Sequence, residues 1–148
     1  MRNGIRLLVF ALITFGAVYA QEGLKVLGIK GAVKYQPPGG GEEQSFAKGL
    51  ALEIGGVVTS GEGAFAMIGF GESVISIGSG TKLELKEVGV GEGKKFRVKL
   101  LAGKIAATFE KLSKGSEAYF ETPTTVAGVR GTEFYLRLLD DGSSMLYV

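Results

Sequence analysis

Ser45-Phe46-Ala47-Lys48 has the Ser-x-x-Lys spacing of one class of serine acyl-enzymes. There the serine opens a helix and the lysine, one turn on, takes its proton. The companion elements Ser-Asp-Asn and Lys-Thr-Gly are missing, and 148 residues are too few for that fold. Other chemistries are excluded by composition. The chain has no histidine and no cysteine. It therefore has no Ser-His triad, no thiolate nucleophile, no structural zinc site and no histidine-ligated haem. No Gly-x-x-x-x-Gly-Lys-Ser/Thr phosphate loop occurs among the 25 glycines. Asp140 and Asp141 are the only aspartates, too few for a calcium loop. Glu42-Glu43 reads as a solvated loop and Lys94-Lys95 as a solvated strand edge. No enzyme, metal or cofactor is expected.

The pattern with the most information lies near the C-terminal end: Glu121-Thr122-Pro123-Thr124-Thr125-Val126-Ala127-Gly128-Val129-Arg130-Gly131-Thr132-Glu133-Phe134. Pro123 fixes φ and withholds a donor, so Thr122-Pro123 should end the ladder of a strand over 118–121. Gly128 and Gly131 permit a tight or bulged path around Val129-Arg130. Thr132 should start the next strand, with Phe134 on its inner face. A guanidinium has five fixed donors, which suits bracing several loop carbonyls. Arg130 is accordingly expected to be mostly buried, with Arg130→Ala costing roughly 2–4 kcal/mol. Arg97 and Arg137 alternate with apolar residues and should face water.

The elements that hold this segment follow a period of two. Lys82-Leu83-Glu84-Leu85-Lys86 and Phe96-Arg97-Val98-Lys99-Leu100 alternate charged and apolar residues. Ile105, Ala107 and Phe109 share one face, as do Phe134, Leu136 and Leu138. Each run reads as a strand with one buried side. The stretches 64–70 and 74–77 are apolar on both faces, as in central strands. Glycine-rich turns separate the runs. Glu42 to Leu52 could form a turn or two of helix, although no capping box opens it. Glu110 to Glu117 reads as a polar crossing loop, and Ser143 to Val148 as a last strand leaving the Asp141-Gly142 turn. The expected fold is all-β: short antiparallel strands in a solenoid-like or jelly-roll-like two-layer stack.

The first twenty residues read as an address. A basic head with Arg2 and Arg6 precedes an apolar run from Leu7, and Val18-Tyr19-Ala20 suits signal peptidase. The run is shorter than the roughly 20 apolar residues that span a bilayer. Cleavage is expected after Ala20, giving a signal peptide at 1–20 and one domain at 21–148. Removing Arg2 and Arg6 from 17 basic residues leaves 15 against 15 acidic ones. A neutral mature chain offers no electrostatic case for nucleic acid.

Thr122-Pro123 followed by Val129-Arg130-Gly131-Thr132-Glu133-Phe134 resembles the signature of the FecR family, the periplasmic domain of ferric-citrate-type regulators. Gly55, Val57 and Thr59 resemble its upstream segment, and the likeness runs over roughly 24–148. The resemblance implies a β-rich, non-catalytic domain outside the cytoplasm, and a partner protein in the envelope. The motif residues Thr122, Pro123, Gly128, Val129, Arg130, Gly131, Thr132 and Phe134 would then be structural or docking residues. The family's regulators carry a cytoplasmic anti-sigma segment and a membrane span ahead of this domain. Here a signal peptide stands in that place, so sigma regulation is not carried over. The family also continues with further strands, so a truncated or short member is expected. The expected function is a docking module of the bacterial envelope, with a structural component of an envelope assembly as the alternative.

Overall fold

The period-two runs become strands wherever the chain is described, and their apolar faces meet in one core. In the computed structural model the described residues are 23–88, 93, 95–109, 116–131 and 133–148. The proposed signal peptide lies outside them, as do most of the 110–117 crossing loop, Lys94 and Thr132. The strands are β1 (Leu24–Lys30), β2 (Val33–Gln36), β3 (Gln44–Ser45), β4 (Ala51–Leu52), β5 (Val57–Ser60), β6 (Phe65–Phe70) and β7 (Ser73–Ile77). There follow β8 (Lys82–Val88), β9 (Lys95–Ala102), β10 (Lys104–Thr108), β11 (Glu117–Glu121), β12 (Val126–Val129), β13 (Glu133–Leu138) and β14 (Ser144–Tyr147). They form two seven-stranded sheets, ordered β14-β13-β10-β7-β6-β1-β4 and β12-β11-β9-β8-β5-β2-β3. We refer to these as the first and second sheets. The fold is all-β and sandwich-like.

Leu83 and Leu85 on β8, with Phe96, Val98 and Leu100 on β9, supply the inner face of the second sheet. Ile75, Ile77, Ile105 and Leu136 supply that of the first. Burying such side chains is worth about 1.5–3 kcal/mol each, which is what holds a chain without disulfides together. At the end that carries the motif the filling is aromatic. Phe96 packs against Phe70, Phe109 and Phe120 at 5.5–5.9 Å between ring centroids. Phe120 meets Phe134 edge-on at 4.3 Å.

A polar pin joins the layers. Ser60 Oγ, on the second sheet, accepts from Thr81 N at 2.9 Å and donates to Gly78 O, just past β7 of the first, at 2.5 Å. Thr81 Oγ1 accepts from Lys104 N at 3.0 Å. Both side chains are buried, and each is satisfied.

Three expectations are corrected. The stretch 42–52 is not helical: Phe46 N and Gly49 N donate across to Val33 O and Val26 O, so β1 and β2 take backbone groups that a helix would satisfy internally. Lys95 is not at a sheet edge. It begins β9, which lies between β8 and β11. The strands are not all antiparallel either: β11 pairs β9 in parallel, Glu117 opposite Lys95 and Glu121 opposite Lys99. The chain crosses to the first sheet through β10 before returning, the kind of connection a parallel pair needs.

Candidate functional site at the open edge of the second sheet

β11 and β12 form the hairpin that carries the motif. The turn between them is built by Thr122. Its N–H donates to Thr125 O at 2.8 Å, and its Oγ1 accepts from Thr125 N at 3.0 Å and Thr124 N at 3.3 Å. Pro123 therefore sits where no ladder donor is needed, as its type requires. The same hydroxyl shares a hydrogen bond with Ser144 Oγ at 2.8 Å, and Thr124 Oγ1 donates to Gly142 O at 3.0 Å. Both contacts run to the start of β14, in the other sheet.

Register then fixes which backbone groups are used. Residues 122 and 125 are a bonded pair, and bonded pairs alternate along an antiparallel ladder. The pairs 120·127 and 118·129 are therefore bonded, while 121·126 and 119·128 are not. Hence the N–H and C=O of Val126 and Gly128 point away from β11. Among the described residues β12 is the last strand of its sheet, so they face its open edge. Ala127 and Val129 turn inward and are buried, whereas Val126 and Gly128 are exposed.

Behind this edge stands an aromatic and cationic group. Tyr119 lies across Gly128, where a Cβ would touch its ring at 3.4 Å. The Arg97 guanidinium stacks on Tyr119, 5.1 Å from the ring centroid, and its Nη1 reaches Glu121 Oε1 at 3.3 Å. A shallow cleft of about 350 Å³ runs along Glu117, Tyr119, Gly128 and Arg130. This group brings β9, β11 and β12 together through the parallel pairing, which is why sequence periodicity did not reveal it.

Arg130 is exposed rather than buried. Gly131 has φ +61° and swings the chain from β12 toward β13 in the opposite sheet. The corner is thus a crossing between layers, and the arginine lies on its outside. The inner positions of the motif are filled instead by Ala127, Val129 and Phe134. Arg137 is exposed, as expected, while Arg97 is only partly so.

The nucleophile spacing comes to nothing here. Ser45 lies on the two-residue strand β3 opposite Lys34, and no helix brings Lys48 under it. Among the described residues no group of three or more acidic, histidine or cysteine side chains is placed to hold a metal. Among the described residues two groups have displaced proton affinities, both on the surface. The hydrogen bond from Ser143 Oγ, then that from Ser143 N, holds the Asp141 carboxyl below the usual carboxylate range. The hydrogen bond and charge of Glu43 raise the Lys34 ammonium.

The model of the family described as FecR protein matches residues 56–148, from the strand β5 segment to the end of β14. The chain belongs to the FecR family. The match takes in the whole Thr122 to Phe134 motif together with Val57 and Thr59. FecR domains are typically periplasmic, act in regulation and signalling with other envelope proteins, and are not known as enzymes. Among the described residues no helix is long and apolar enough to cross a membrane. Comparison with curated proteins and with solved structures returned no match.

Proposed function

We propose that this FecR domain is an exported, non-catalytic docking module of the bacterial envelope, and that an extended segment of a partner protein adds to the open edge of β12. The observation that carries the reading is the outward-facing backbone of Val126 and Gly128 within the family motif. An unpaired edge is a template for another strand, and main-chain hydrogen bonds along it supply affinity. Exposed Arg130 and the Arg97–Tyr119 stack flank that edge and give an incoming strand side-chain contacts beside the backbone ones. A core crossing would need only Ala127, Val129 and Phe134. Val126, on the lip, is a large apolar side chain left 64% exposed.

The test is capture by tagged protein from envelope extract, read by mass spectrometry, with Gly128→Pro as control. Proline removes the outward N–H while leaving the ladder to β11 intact, because Gly128 donates nothing to it. One stoichiometric partner, lost in the variant, supports docking. Self-assembly without a partner, untouched by the variant, supports the structural alternative and contradicts this reading. Export is tested separately: the mature chain should begin at Gln21, and a membrane-bound product that retains Met1 would refute cleavage.

A further inference from the structure

The outer faces of the two sheets differ in chemistry. On the second sheet, opposite charges face one another across strands: Glu84 is opposite Lys99, which is opposite Glu121, and Lys95 is opposite Glu117. That is a solvated face held by cross-strand pairs. The first sheet instead carries Met67, Ser76, Ala106, Tyr135 and Tyr147 in one continuous row across β6, β7, β10, β13 and β14. Strands lie about 4.8 Å apart, so the row is about 19 Å long. A parallel row of Val74, Thr108 and Glu133 runs beside it.

Between the rows lies a trough of about 430 Å³. Its floor is low because Ser76 and Ala106 are small. One end is walled by Tyr135 and Tyr147, with ring centroids 6.1 Å apart and planes inclined by 50°. Tyr135 is half-buried and so held in place, while Tyr147 stands out at 57% exposure. The lining includes the hydroxyls of Ser76 and Thr108 and one carboxylate, Glu133, but no lysine or arginine among the described residues.

This combination selects a ligand class. Glu133 is the one charged group that lines the trough, and Lys104 and Arg137 stand opposite each other in the next row of the same face, beyond Ala106 and Tyr135. The trough's open top and hydroxyl lining leave an acyl chain wet. A sugar ring has an apolar C–H face and a rim of hydroxyls, and it needs an aromatic platform beside donors and acceptors. Tyrosine presents a broad apolar ring with a polar tip, and a carboxylate accepts strong hydrogen bonds from hydroxyls. Two inclined rings side by side at one end of the trough suit successive rings of a twisting chain. We infer that this face binds an unbranched glycan strand, with pyranose rings on Tyr135 and Tyr147 and hydroxyls on Glu133, Ser76 and Thr108. The site lies on the opposite sheet from β12 and stands independently of partner docking there.

The test is isothermal titration of the mature chain with chitotetraose and with cellotetraose. Saturable binding to either is expected, and the preferred one tells whether the natural strand is N-acetylated. Tyr147→Ala should weaken binding by about tenfold. Ala106→Arg, which fills the trough from an exposed position, should abolish it, and Thr59→Ala on the other sheet should leave it unchanged. Circular dichroism of each variant establishes folding, and Ala106→Arg suffices if Tyr147→Ala does not fold. Absence of saturable heat with both sugars at millimolar concentration would overturn the inference. So would binding that survives Ala106→Arg.

Discussion

Thr122 Oγ1 and Ser144 Oγ lie 2.8 Å apart, joining the turn that opens β12 in one sheet to the first residue of β14 in the other. The Thr-Pro element of the family signature is thereby a clasp between layers as well as a strand terminator. It holds the open β12 edge in a fixed place relative to the core.

Thr122→Ala should therefore destabilise the domain by about 1–3 kcal/mol, because it strips the acceptor from the Thr124 and Thr125 amides at a buried position. Thr122→Ser keeps the hydroxyl and should recover most of the loss. Urea unfolding of the two variants measures the difference, and equal midpoints for both would contradict the clasp.

Gly103 links β9 to β10 with φ +83°, and a Cβ there would stand 2.6 Å from both Gly80 O and Thr81 Cα. A side chain meets backbone that cannot yield, beside the pin formed by Ser60 and Thr81. Gly103→Ala should cost at least about 2 kcal/mol from left-handed strain and overpacking together. Gly142→Ala, with φ +83° but open space around it, should cost less. Thermal melts rank the pair.

Arg130→Ala should change stability by less than about 1 kcal/mol, as exposed side chains do. Loss of partner capture with an unchanged melt places Arg130 in recognition. A drop of several degrees would restore the bracing role that its flanking glycines first suggested.

The Asp141 carboxyl should titrate below its unfolded value, because Ser143 Oγ and N donate to it at 2.6 and 2.9 Å. A depressed folded value means the contribution to stability is present above the unfolded value and is lost as pH falls through the folded one. Carboxyl NMR titration should show the shift, and Ser143→Ala should move it back toward the ordinary range. No movement would separate the shift from Ser143.

Much of this was legible in the chain. Leu83, Leu85, Phe96, Val98, Ile105 and Leu136 announce their buried faces by strict alternation, and that alternation follows from strand geometry. The Thr122-Pro123 break and the Phe134 anchor were legible too, since proline chemistry and periodicity are local. The position of Arg130 was not. Flanking glycines say that the chain turns there, not on which side of the turn a side chain falls. Tyr119 and Arg97 meet only because β11 returns parallel to β9, a long-range choice that no window of sequence records. The segment 42–52 misled for the same reason: its amides are claimed by β1 and β2, which are distant in sequence.

The central claim, that a partner strand adds to β12, is tested most directly by photo-cross-linking in intact cells from a reactive residue placed at position 126. The account predicts one discrete adduct from position 126, abolished by Gly128→Pro, and none from position 59 on β5. An adduct that forms equally from position 59, or that survives Gly128→Pro, would contradict it, as would the absence of any adduct from position 126.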